Sequence, residues 1–149
     1  IALAGFVLIV LGFQRARLDP VVLYASPTWL NHLNALFTLI AFVLLAAAYV
    51  PGNRIRARLG HPMVVATKVW AFGHLLAIGL LHDVVLFGAF LVWAIVAFAR
   101  LRRRDRAQGV TYAPGTLKGD VITLVVGVLA WALFAFWLHG ALIGVRPFG

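Results

Sequence analysis

P-M-V-V-A-T-K-V-W-A-F-G-H-L-L-A-I-G-L-L-H-D-V-V-L-F-G-A-F-L-V-W-A-I-V-A-F-A, residues 62 to 99, sets the architecture. Only Lys68, His74 and the adjacent His82 and Asp83 are ionisable in it. A helix that crosses a bilayer needs about 20 mostly apolar residues, because hydrocarbon offers unpaired backbone groups no partner. The stretch therefore reads as two spans, about 62–81 and 84–99, folded back on each other at His82 and Asp83 as a helical hairpin. Pro62 suits the first turn, where the N–H it lacks would have no intrahelical acceptor.

On the N-terminal side of this hairpin, the run 30–50 comes after the breaks at Pro20 and Pro27 and ends at Pro51 and Gly52. The run 1–13 is shorter and stops at Gln14, Arg15, Ala16 and Arg17. Beyond the hairpin come the basic stretch Arg100 to Arg106 and a polar loop from Gln108 to Gly119 with Pro114 and three glycines. The last run, 120–143, begins at Asp120, expected to be its N-cap. The fold class is all-α: a polytopic transmembrane helical bundle forming one domain over residues 1–149, with five spans visible. Because Ile1 opens inside an apolar run without a charged leader, one more helix is expected upstream.

Composition agrees. Of 149 residues 64% are hydrophobic and 11% charged, and the mean hydropathy is +1.02, far from a water-soluble domain. Thirteen Lys or Arg face four Asp, with no Glu, giving a net charge of +9. These basic residues sit in short loops between apolar runs, so the bilayer is the expected partner and nucleic acid is discarded. Arg54, Arg56, Arg58, Arg100, Arg102, Arg103, Arg104, Arg106 and Lys118 fall on one side; Arg15, Arg17 and Arg146 fall on the other. The positive-inside bias places segments 51–61 and 100–119 in the cytoplasm and the C-terminus outside, in the periplasm of a Gram-negative host.

The chain has no cysteine, which removes disulfides, thiolate chemistry and covalent c-type haem attachment. A metal or cofactor must use histidine. His74 lies twelve residues beyond Pro62, about 18 Å along the helix, too deep for a short imidazole to reach water. No acid lies inside a span to pair with it, so it reads as a ligand, a proton carrier or a satisfied core residue. Thr67, Trp70, Ala71, Ile78 and Leu81 fall near the same helical stripe. Lys68 is placed to snorkel toward head groups. His139 comes after the aromatic run Phe134 to Trp137, where a ligand role competes with an interfacial belt. His61 precedes Pro62, positioned to cap the turn or to meet a head group or a cofactor acid. His32 and His82 read as interfacial. Serine-triad, paired-carboxylate, H-E-x-x-H and phosphate-loop patterns are all missing, which argues against hydrolysis and phosphoryl transfer. Without intramembrane acids or repeats, ion-coupled transport is also disfavoured. Gly140-x-x-x-Gly144 is a weak helix-packing pattern near the chain end.

Five segments carry a resemblance: R-A-R-L-D-P-V-V-L-Y from Arg15, A-A-Y-V-P-G from Ala47, H-P-M at His61, K-V-W-A-F-G-H-L-L from Lys68 and W-L-H-G-A-L-I-G-V from Trp137. In order and spacing they resemble the NnrU family. That resemblance implies a bacterial inner-membrane protein that supports denitrification, the reduction of nitrite and nitric oxide. The family is similar in turn to the plant 15-cis-zeta-carotene isomerase, a haem b enzyme; carried over, His74 matches its haem-ligand position, as the axial ligand of the iron. Lys68, Trp70 and His61 belong to the same matched block, and His139 is the second candidate within the chain for contact with the haem. NnrU-like chains usually carry a further helix with an H-S motif before this point, a candidate for the other ligand. They also have Asn-Gly after H-L-L-A, where this chain has Ile78 and Gly79. The resemblance leaves three expectations: a haem b protein of denitrification, a haem-dependent cis–trans isomerase of a polyene, or an accessory subunit among other membrane protein subunits.

Overall fold

A computed structural model describes residues 1–148. The apolar runs are helical: α1 (Ala2–Ala16), α2 (Trp29–Tyr49), the short α3 (Arg54–Leu59), α4 (Pro62–Ala77), α5 (Leu81–Ala107) and α6 (Leu117–Leu133). A π-helical turn, Phe134–Leu138, joins α6 to α7 (His139–Ile143). Three helical stretches are long and apolar enough to cross a membrane, α2, α5 and the continuous run Leu117–Ile143; α1 and α4 are shorter apolar helices.

Pro62 occupies the first turn of α4 behind His61, as its missing N–H favours. The helix stops at Ala77, short of the 62–81 span read from hydropathy, and the reason lies far away in sequence. The Tyr24 hydroxyl donates to the carbonyls of Leu75 and Ile78, and Ser26 Oγ donates to that of Leu76 at 2.9 Å. These side chains satisfy carbonyls that the end of a helix leaves open. Ile78 is then extended, and Leu80 bridges Val22 through Leu23 N–H to Gly79 O (2.8 Å) and Leu81 N–H to Val21 O (2.8 Å). A Cβ at Gly79 would collide with the Tyr24 carbonyl, so this crossing requires glycine.

At the other end Asn53, 2% exposed, ties two helices together. Its Nδ2 donates to Ala47 and Val50 carbonyls (2.9 and 2.6 Å), closing α2, while its Oδ1 accepts from Arg56 N–H (2.7 Å), opening α3. Thr116, not Asp120, caps α6, accepting from Gly119 N–H at 3.1 Å. Asp120 sits in the first turn and reaches across to Arg54, accepting its N–H at 2.7 Å and pairing with Nε at 3.6 Å. The polar loop thus begins the helix three residues earlier than hydropathy suggests. The basic stretch Arg100–Arg106, expected as a loop, continues α5 past its apolar part, which ends at Ala99.

α2 is the central helix, packed against both α4 and α6, and α4 in turn packs against α5. The contacts are made by small residues. Ala41, Ala47, Ala66, Ala71 and Ala94 are buried, and Cβ atoms added at Gly73 and Gly127 would lie 2.8 Å from Phe37 Cβ and 2.6 Å from Val43 Cα. Close backbone approach of this kind is how helices associate in lipid, where burying apolar surface yields nothing extra. The outward faces are correspondingly apolar, as with Val121, Leu124, Val125, Val128 and Leu129 on α6. One polar link crosses the α2–α6 contact, Trp131 Nε1–H to Thr38 Oγ1 at 3.1 Å. α1 stands apart: it buries no residue, and among the described residues the helix it packs on is α5.

Candidate functional site

His74 projects from the last turn of α4 and is 9% exposed. Because α4 ends at Ala77, the ring lies one turn from the helix end and is covered by neighbours rather than by depth alone. The Phe87 ring of α5 stacks on it at 4.4 Å and 22°, and the Trp70 ring lies 5.4 Å from it, tilted by 54°. Phe87 and Phe90 meet Trp70 edge-on, so α4 and α5 are joined here by an aromatic layer. His74 Nδ1 lies 2.9 Å from the Trp70 carbonyl. A carbonyl only accepts, so Nδ1 carries the proton and Nε2 presents its lone pair. No hydrogen bond occupies that Nε2 among the described residues.

His139 repeats the arrangement. Its Nδ1–H donates to the Val145 carbonyl at 2.6 Å, leaving Nε2 uncommitted, and its ring stands edge-on to Phe134 at 5.7 Å. The π turn Phe134–Leu138 delivers it; such turns insert a residue into a helix, rotate the residues beyond it, and recur at functional sites. Imidazoles pinned at Nδ1 by a carbonyl are poised as ligands through Nε2. At the same end Arg17 Nη1 donates to the Ile143 carbonyl at 2.9 Å, linking α1 to α7. Asn34 Oδ1 of α2 is buried without a partner and lies beside Gly73, next to His74 in the chain. An orphaned buried amide is the kind of group a bound molecule or water satisfies.

The other residues singled out from the sequence lie elsewhere. Lys68 Nζ sits 3.8 Å above the Phe98 ring of α5, a cation–π contact directed toward the basic end. His61 joins a second cluster there. Its Nε2 lies 2.6 Å from Asp105 Oδ2, and the Tyr112 hydroxyl donates to the same oxygen at 2.5 Å while lying 3.2 Å from His61 Nε2. His61 therefore neither caps α4 nor reaches toward His74. Asp105 is buried, with Arg104 Nη2 3.6 Å from its other oxygen. The Tyr112 hydrogen bond, and then that of His61, hold the Asp105 carboxyl below the usual carboxylate value. Burial, and then the Asp105 carboxylate, push the Tyr112 phenol up. Sequence reasoning missed Asp105 and Tyr112; the local hint was a lone acid among arginines, Arg102, Arg103, Arg104 and Arg106.

Among the described residues no three His, Asp or Glu side chains converge to chelate a bare metal ion. A macrocycle that brings its own four equatorial donors asks a protein only for further ligands, and the uncommitted Nε2 atoms of His74 and His139 are donors of the chemical type it takes. Gly140 and Gly144, noted as a packing pattern, do other work: Gly140 lies against the Arg146 side chain and Gly144 ends α7 at φ 78°.

No curated protein and no solved structure matches the chain. The family described as NnrU protein matches residues 1–147. With that match over nearly its whole length, the chain belongs to the NnrU family.

Proposed function

We propose that this chain of the NnrU family would hold haem b through His74, with His139 as the second ligand candidate, and that it serves nitrite and nitric oxide reduction in the bacterial inner membrane. One observation carries the haem assignment: both imidazoles donate Nδ1–H to a backbone carbonyl and leave Nε2 uncommitted, in an apolar setting. The service to denitrification rests on what NnrU membership implies. The positive-inside bias puts the end bearing Arg54, Arg103 and Lys118 in the cytoplasm, so the histidine pair lies toward the periplasmic face.

When bound, haem supplies a one-electron couple whose potential depends on its axial ligands and on the dryness of the site. The chain's own residues do the rest. The Trp70 and Val145 carbonyls fix the tautomers of His74 and His139. Phe87 and Trp70 orient the His74 ring and exclude water from it. Arg15, Arg17 and Arg146 lie at the same end, as partners for the haem carboxylates.

The test is haem content and an optical spectrum of the detergent-purified protein, expressed with haem supply, beside His74→Ala. A Soret band that the substitution removes supports the assignment. Equal haem in both proteins, or none in either, overturns it, and absence in both leaves a structural subunit of a larger membrane assembly as the better account.

A further inference from the structure

Past Ala99 the apolar part of α5 is over, but the helix continues to Ala107, and Arg100, Arg103 and Arg104 stand exposed on it. They follow Trp93 and Val96 at steps of three and four residues, so the five side chains share one stripe about 16 Å long. Trp93 and Val96 are 56% and 43% exposed, on a helix long and apolar enough to cross a membrane. An open groove of about 300 Å³ runs along this part of α5. Trp93, Val96 and Ala97 line its apolar length, and Arg100 and Leu101 lie at its basic end.

The charge at that end is uncompensated. Among the described residues Arg100 and Arg103 make no ion pair and no side-chain hydrogen bond. The two acids of the basic end are committed elsewhere. Asp105 is buried, held by Tyr112 and His61, with Arg104 Nη2 at 3.6 Å, and Asp120 pairs with Arg54. Guanidinium groups one helical turn apart can grip the unesterified oxygens of a single phosphate, whose geometry their N–H forks match. With both acids engaged, a choline or ethanolamine cation beside that phosphate would meet only arginines. The apolar floor leads away from the arginines into the membrane-crossing part of α5, a surface that a free phosphate leaves unused.

We infer that this stripe seats an anionic glycerophospholipid, one acyl chain along Trp93, Val96 and Ala97 and its phosphate between Arg100 and Arg103. The lipid's charge is met by two cations that the chain itself leaves without a partner, and its tail covers the exposed apolar groove below them. The haem proposal and this one stand on different residues, so either survives failure of the other.

Native mass spectrometry of the whole chain in detergent tests it, with phosphatidylglycerol and phosphatidylcholine of the same acyl chains as probes. Tighter binding of the first phosphatidylglycerol is the expected result. Arg100→Gln with Arg103→Gln lowers that affinity about thirtyfold, the worth of two surface arginines to an anionic lipid. Arg58→Gln with Lys118→Gln removes the same charge from exposed residues at the same end and leaves the affinity unchanged. In nanodiscs, a phosphatidylglycerol with a diazirine in its acyl chain labels α5 between Trp93 and Leu101. Equal binding of the two lipids, or equal losses in the two double variants, overturns the seat. Labelling spread evenly over α2, α5 and α6 overturns the groove, and displacement by inorganic phosphate at the lipid's own concentration overturns a lipid as the occupant.

Discussion

His61 Nε2 lies 2.6 Å from Asp105 Oδ2, joining the residue before α4 to the end of α5 across 44 positions of sequence. Tyr112, from the loop after α5, closes the cluster. Three segments at the basic end are thereby held by one carboxylate.

That carboxylate makes stability pH-dependent. Its folded-state pKa is depressed, by Tyr112 first and His61 second. A depressed carboxyl contributes stability that is present above its ordinary value of 3.8 and is lost as pH falls below that toward the folded value. The detergent-solubilised protein should show a falling Tm on acidification through that window, and Asp105→Asn should be less stable at neutral pH with a flatter profile. Identical slopes in the two proteins would rule out Asp105 as the source.

Helix contacts made through glycine predict a second result. Gly127→Ala puts a methyl group 2.6 Å from Val43 Cα, and backbone cannot yield as a side chain can. A loss of about 1–3 kcal/mol is expected from overpacking. Gly88→Ala meets nothing within 4 Å and should be neutral or gain up to about 1 kcal/mol from helix propensity. Thermal unfolding of the pair in one detergent checks both, and equal effects would contradict the close α2–α6 approach.

Orientation can be read directly, since the chain has no cysteine of its own. Arg146→Cys should react with a membrane-impermeant maleimide in intact spheroplasts, and Arg103→Cys only after lysis, as the positive-inside bias requires. Both arginines are exposed. The opposite labelling pattern would invert the topology.

Hydropathy made α2 and the start of α4 legible, because apolar length and a first-turn proline are local properties. The end of α4 was not, since its carbonyls are satisfied by Tyr24 and Ser26, some fifty residues away. Asp120 has the right chemistry for a cap but lies one turn too late, and only the approach of Arg54 shows what it does instead. The NnrU segments pointed to His74 and His139 as residues of interest. The carbonyls that fix their tautomers, the π turn before His139 and the Asn34 amide beside Gly73 depend on packing that no run of sequence displays. The His61–Asp105–Tyr112 cluster was invisible for the same reason.

The haem reading stands or falls on whether His74 and His139 ligate one iron. Electron paramagnetic resonance of the oxidised, haem-loaded protein decides this, beside His139→Ala and His74→Ala. Axial ligation by both rings gives a low-spin, two-histidine signal in the parent, conversion to a high-spin signal in His139→Ala, and loss of haem in His74→Ala. A low-spin signal that survives both substitutions unchanged would refute the pairing.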